Sequence, residues 1–248
     1  MKTKHLILIG VVVFLVSAIL NTPIALIYPK LNKNPGLLQL NGLSGSISSG
    51  SAGELTYNGR SVLSNVEWHF SPLFLLLGRL AFNIQGGHGL TVDGRVSATP
   101  FGPRADSLKV GGPLSTALPL LSPLPLPVEG QFDLTLNTLK FSGGYPTTAK
   151  GRLMLNSVHW TLGPTPAAIG DLSADIITEK DQIVARFTPG EGAVEVGGEI
   201  RLLSDHNYEV DLQLKAKPNA DPTLQNLLHT LGQADPQGYF HINSRGQL

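Results

Sequence analysis

Alternation of apolar and polar residues constrains this chain more than any other feature. Tyr208-Glu-Val-Asp-Leu-Gln-Leu-Lys-Ala-Lys217 alternates without an error. Phe132, Leu134 and Leu136 are interleaved with Gln131, Asp133, Thr135 and Asn137, and Val66, Trp68 and Phe70 with Glu67 and His69. Leu80, Phe82 and Ile84 repeat the pattern. Side chains along a strand point alternately to opposite faces, so this period specifies sheets with one apolar and one polar face, as antiparallel sheets have. The 28 Gly and 18 Pro among 248 residues then read as turns between many short strands. Gly-Gly pairs at 86–87, 111–112, 143–144 and 197–198 are expected at turns or bulges.

Helical signals are few. Asp221-Pro222 followed by Leu224, Leu227, Leu228, Leu231 and Gly232 has an N-cap, a proline at N1, apolar helical spacing and a glycine stop. Ser71-Pro72 to Leu77-Gly78 repeats that grammar in a shorter piece, and a third candidate follows Gly112-Pro113. Leu121-Ser-Pro-Leu-Pro-Leu-Pro-Val128 reads as an extended connector.

The N-terminus has a different character. Lys2 and Lys4 precede a stretch, Leu6 to Pro29, that carries no charge. About 20 apolar residues cross a bilayer, and Tyr28 sits where an interfacial aromatic belongs. No Ala-x-Ala cleavage site follows, so an uncleaved anchor is expected rather than a signal peptide. This predicts a cytoplasmic tail at 1–5, a transmembrane anchor at 6–28 and a β-rich domain at 36–248 on the far side. Lobes of about 36–120 and 128–248 are expected within that domain, joined by the Pro-rich connector.

The two-lobe expectation comes from a repeat. Val66, Trp68, Pro72, Gly78, Leu80 and Ile84 recur as Val158, Trp160, Pro164, Gly170, Leu172 and Ile176, all offset by 92 residues. Both tryptophans of the chain fall within it. The physical reading is a strand ending in an inward Trp, a Pro-started crossover, a Gly stop and a second strand. Such a unit builds core and not a catalytic site. The fold expected is mainly β: twisted antiparallel sheets in two repeat-related lobes, a few short helices and one membrane helix.

Chemistry-bearing motifs are missing. There is no Gly-x-Ser-x-Gly elbow, Walker loop, His-Glu-x-x-His or helix-opening Gly-x-Gly-x-x-Gly. Gly86-Gly87-His88-Gly89 leads into alternating Leu90 and Val92 and reads as a hairpin turn. The seven histidines are scattered singly, and Glu191, Glu195 and Glu199 read as a solvated rim. Asp171 and Asp175 share a face if their strand is regular. The absence of Cys excludes disulfides, thiolate metal sites and a Cys nucleophile. Zero net charge argues against nucleic acid as a partner. No catalytic residue, metal ligand or cofactor is expected, and the chain reads as non-enzymatic.

In their order and spacing these segments resemble the general secretion pathway protein N family, the N component of the bacterial type II secretion system. The resemblance runs through the N-terminal segment, Leu43-Ser-Gly45-Ser-Ile47-x-x-Gly50, the Val66 to Leu80 block and Val128-Glu-Gly130. It continues through Gly197-Gly198, the Leu224 to Gly232 helix and Gly238-Tyr239. It implies a single-pass inner-membrane protein with a periplasmic domain that supports export of folded proteins. The implied partners are the inner-membrane platform proteins and the outer-membrane secretin. The Trp68 to Leu80 block also resembles AsmA-like envelope proteins, which implies the alternative of binding or transferring lipid through an apolar β-groove.

Overall fold

The computed structural model describes residues 5, 11, 14, 17–32, 38–121, 126–162, 166–218, 220–230 and 232–247. It is mainly β, with fourteen strands among the described residues, antiparallel pairing and a few short helices. The chain divides into two compact units, Met1–Asp93 and Gly94–Leu248.

In the first unit, residues 17–20 close a helical turn, after which the chain bends at Asn21 and Thr22. Helix α1 (Ile24–Leu31) starts afresh. The break has local causes. Pro23 has no N–H with which to continue the turn. The Asn21 Nδ2 and Thr22 Oγ1 groups donate back to the carbonyls of Ser17 (2.8 Å) and Ala18 (3.0 Å), closing the preceding turn locally. The anchor expected over 6–28 thus contains this bend near its C-terminal end. Tyr28 is likewise engaged within the protein, its hydroxyl accepting from the Leu40 amide at 2.8 Å. Positions 6–10, 12, 13, 15 and 16 of the expected anchor lie outside the described residues. Among the described residues no helix is long and apolar enough to cross a membrane.

Strands β1 (Leu38–Asn41), β2 (Ser44–Gly45), β3 (Ser49–Tyr57), β4 (Arg60–Phe70) and β5 (Leu80–Gly86) follow. β1 and β2 pair with β3, β3 with β4 and β4 with β5. Burial alternates along β4 as expected, with Val66, Trp68 and Phe70 half-buried and Glu67 and His69 exposed. A short 3-10 helix, Pro72–Leu77, hereafter the 3-10 turn, joins β4 to β5 and ends on Gly78 in the left-handed conformation. Ala52, Leu63, Ala81 and Leu90 are buried in this unit. β6 (Thr91–Thr99) begins after the short connection containing His88.

The second unit continues as a meander: β7 (Gly102–Pro113), β8 (Val128–Ser142), β9 (Tyr145–Trp160), β10 (Ala167–Glu179), β11 (Gln182–Thr188), β12 (Val194–Leu202), β13 (Asn207–Ala216) and β14 (Phe240–Gln247). Each pairs antiparallel with the next. Gly143 and Gly144, at φ 60° and 84°, form the tight turn between β8 and β9, a geometry that favours Gly. The pairs at 111–112 and 197–198 lie within strands, so only some of the Gly-Gly pairs are turns. Helix α2 (Leu114–Leu121) and the Pro-rich stretch connect β7 to β8, which pair directly from Arg104↔Lys140 to Pro113↔Gln131. The strands flanking that stretch, expected to join two lobes, both lie in the second unit; residues 122–125 lie outside those described. Helix α3 (Pro222–Thr230) forms where its grammar predicts, with Asp221 Oδ1 accepting from the Thr223 amide at 2.7 Å. Its Leu224 is 1% exposed and seals a cluster with Ala167, Val194 and Val196.

Candidate functional site

Several of the titratable residues are engaged separately, by different local partners. His159 Nδ1 donates to the Ser157 carbonyl at 2.7 Å, His206 stacks on Tyr145 at 4.1 Å, and His229 meets Phe240 edge-on. His241 Nε2 lies 3.0 Å from Asp235 Oδ2. Asp171 accepts from the Ser157 amide and Asp175 from Arg152, so each carboxylate is taken up by its own donor on the neighbouring strand Tyr145–Trp160. Glu195 accepts from the Tyr239 hydroxyl, which with burial holds that phenol above its usual range. Among the described residues, no group of three or more His, Asp or Glu side chains could hold a metal ion.

Two other arrangements stand out, each contained in one unit. In the first unit the N-terminal segment is joined to the sheet through the Ser46–Ser48 loop. The Leu20 carbonyl accepts from the Ser48 amide at 2.8 Å and the Thr22 carbonyl from the Ile47 amide at 3.2 Å. The Ser48 carbonyl in turn accepts from the Phe70 amide at 2.6 Å, and Pro23 bridges to Ser46. Trp68 locks this loop from beneath, its Nε1–H shared between the Ser46 and Ile47 carbonyls at 3.2 Å each. Gly50 is required under the indole: a Cβ there would lie 2.4 Å from a ring carbon. The Leu43 to Gly50 motif and Trp68 therefore form one structural device, which joins the N-terminal segment to the sheet end.

In the second unit, register sorts the side chains into rows. Lys109, Thr135, Arg152, Asp175, Arg186, Glu199, Asp211 and Asn243 follow one another across β7 to β14, so all share one face. Arg152 pairs with Asp175 at 2.8 Å, Arg186 sits 3.4 Å from both Glu179 and Glu199, and Arg201 also pairs with Glu199. The Arg152 hydrogen bond holds the Asp175 carboxyl below its ordinary range. An open groove of about 510 Å³ runs along this row beside Thr135, Arg152, Asp175 and Arg186. The adjacent row faces the other way and is apolar: Val110, Leu134, Leu153, Ala174, Phe187, Gly198, Leu212 and Ile242. Ala174 is fully buried and the others are half-buried.

The repeat residues divide between these settings. Trp68 holds the junction, Pro72 opens the 3-10 turn and Gly78 closes it, while Leu80 is 47% exposed. Trp160 and Leu172 pack on the Ala167, Val194, Val196 and Leu224 cluster. Gly170, at φ 107°, lies inside β10 against Gly192 and does not end a turn. Pro164 lies outside the described residues. The two copies share a strand–connection–strand order but differ in register: Trp68 faces Ile84, whereas Trp160 faces Ala167.

A family model described as type II secretion system (T2SS), protein N, matches residues 36–243. The chain belongs to the type II secretion system protein N family. Two curated relatives carry the description "Type II secretion system protein N". The one from Aeromonas hydrophila is 29% identical over 259 residues, covering all of both chains. That from Vibrio cholerae serotype O1 is 27% identical over 224 residues, covering 86% of each. No solved structure matches. The family places the chain among components of a secretion system, and the Leu43 to Gly50 motif, Trp68 and the α3 helix all fall inside the matched region.

Proposed function

We propose that the protein is a non-enzymatic inner-membrane component of the type II secretion system, supporting export of folded proteins from the periplasm across the outer membrane. The observation that carries this reading is the family match over residues 36–243. In this reading residues 1–5 stay in the cytoplasm and the charge-free segment beginning at Leu6 anchors the chain. The β-rich residues 36–248 stand in the periplasm. The segment crosses once, with Lys2 and Lys4 at its cytoplasmic end. The protein acts by holding partners, namely the inner-membrane platform proteins and the secretin. Strand β14, at the end of the strand order, offers a backbone edge for such contacts.

The test is in-cell crosslinking followed by purification of a tagged chain from detergent-solubilised inner membranes. The reading predicts recovery of platform proteins and secretin with the tagged chain. Recovery of neither, from a strain that secretes normally, contradicts it.

A second reading draws support from the apolar row of the second unit. Val110, Leu134, Leu153, Phe187, Leu212 and Ile242 present a half-buried hydrocarbon face that an AsmA-like protein would use for lipid. Native mass spectrometry of the protein extracted from membranes distinguishes the two. Stoichiometric lipid that is lost on Phe187→Glu favours lipid handling, and lipid-free protein counts against it.

A further inference from the structure

The 3-10 turn between β4 and β5 exposes an unusual amount of hydrocarbon. Leu73, Leu76 and Leu77 are 76%, 85% and 66% exposed, and Leu80 beyond them is 47% exposed. A 3-10 helix repeats every three residues, so Leu73 and Leu76 stack on one side. Nothing in the turn's own architecture needs leucine there: Pro72 starts it, and Gly78 ends it by donating to the Leu75 carbonyl at 2.9 Å. Contiguous exposed leucines in a β-domain call for a partner.

The position of the turn identifies that partner. Only two backbone hydrogen bonds separate the end of the N-terminal segment from the strand that feeds the turn. The Leu20 carbonyl accepts from Ser48, and the Ser48 carbonyl accepts from Phe70, two residues before Pro72. Apolar side chains of the segment are themselves uncovered: Val11 is 50% exposed, Phe14 71% and Ile19 61%. Leu26, just past the bend, is 67% exposed. The turn and the segment therefore leave the sheet at the same end, opposite the Asn58–Gly59 hairpin tip.

Length gives a second, independent argument. The charge-free stretch before the bend is Leu6–Leu20. As a helix, 15 residues rise about 22 Å, whereas the hydrocarbon core of a bilayer is about 30 Å thick. A short span is accommodated by thinning the bilayer and by drawing its flanks inward. At the cytoplasmic end Lys2 and Lys4 can snorkel. At the other end the flank is the junction itself, and drawing it inward carries the leucine turn into the acyl boundary.

We propose that Pro72–Leu77 is a membrane-inserting turn: Leu73, Leu76 and Leu77 enter the lipid beside the anchor and fix the first unit against the bilayer at two points. Arg79, directly after the capping glycine, then stands at the level of the lipid phosphates. This rests on the reading of residues 6–20 as the anchor.

Because the chain contains no cysteine, single probes can be placed without further changes. Full-length protein carrying Leu76→Cys, Phe14→Cys or Arg60→Cys is labelled with an environment-sensitive fluorophore and reconstituted into phosphatidylethanolamine–phosphatidylglycerol vesicles. Some of those vesicles contain doxyl-labelled lipid. The proposal predicts a blue-shifted emission and loss of intensity to doxyl lipid at positions 76 and 14, with neither at position 60. Arg60 lies at the far end of β4 from Phe70, about 33 Å along an extended strand. Quenching at 14 without quenching at 76 overturns the proposal and leaves the anchor standing. Quenching at neither position overturns both. Quenching at all three also overturns the proposal, because the turn would then be no special contact.

Discussion

At the residue scale the account depends on places where a backbone or ring comes too close for a larger side chain. Gly197 and Gly198 make the cleanest comparison. A Cβ on Gly197 would meet nothing within 4 Å, whereas one on Gly198, at φ 103°, would lie 2.2 Å from the Asp211 carbonyl. Gly198→Ala is expected to lower unfolding stability by roughly 2 kcal/mol or more, and Gly197→Ala to change it by no more than about 0.5 kcal/mol. Urea denaturation of the two variants side by side checks this. The sequence marks these neighbours only as a Gly-Gly pair, the signal of a turn, and the distinction between them arises from the register of β12 against β13.

Charge gives a second prediction at the same scale. Hydrogen bonds from the His241 ring, and from the Tyr239 and Gln237 amides, hold the Asp235 carboxyl below its ordinary range. A depressed carboxylate contributes stability above its unfolded pKa of about 4 and loses it as pH falls through the folded value. Asp235→Asn should therefore unfold at a lower temperature than the parent at pH 5–7. The gap between the two melting curves should be full above about pH 4 and narrow as pH falls further, and a gap that does not narrow toward acid pH would contradict the assignment.

At the element scale, helix α3 and the N-terminal bend show what local signals can and cannot specify. The Asp221, Pro222, Leu224 and Leu228 pattern encodes the helix completely, because cap, first turn and buried face are all written within one short stretch. Leu224→Ala removes a fully buried side chain from the Ala167, Val194 and Val196 cluster and should cost about 2–5 kcal/mol in denaturant unfolding. Asp221→Ala should cost less, since the helix keeps its packed face. The expected N-terminal anchor is the contrary case. Hydropathy runs on from Leu6 through Tyr28, but Pro23 and the side chains of Asn21 and Thr22 end the helical turn at 17–20 locally, and the Ser46–Ser48 loop then takes up the freed backbone groups. Those partners lie more than twenty residues downstream, where windowed hydropathy carries no information about them. The matching Trp68 and Trp160 segments behave similarly: identity at a fixed offset predicts shared order, yet strand register is set by different neighbours in each copy.

At the scale of the whole molecule, alternation predicted the antiparallel, one-face-apolar sheet, and each compact unit is built on it. The second unit's charged row was legible only in fragments, as Asp175, Glu199 and Asp211 within separate strands. Pairing across five strands, β9 to β13, assembles them beside Arg152 and Arg186. With Arg152, Asp175, Arg186 and Glu199 already engaged by neighbours, that face reads as a solvated surface, and the family assignment directs function toward type II secretion.

The central claim is that this chain serves protein export, and the most direct measurement is the partition of a type II-secreted enzyme between medium and periplasm after its gene is deleted from the host. The account predicts that the enzyme disappears from the medium, accumulates fully active in the periplasm, and returns to the medium when the gene is restored. An unchanged partition between the two compartments would contradict it.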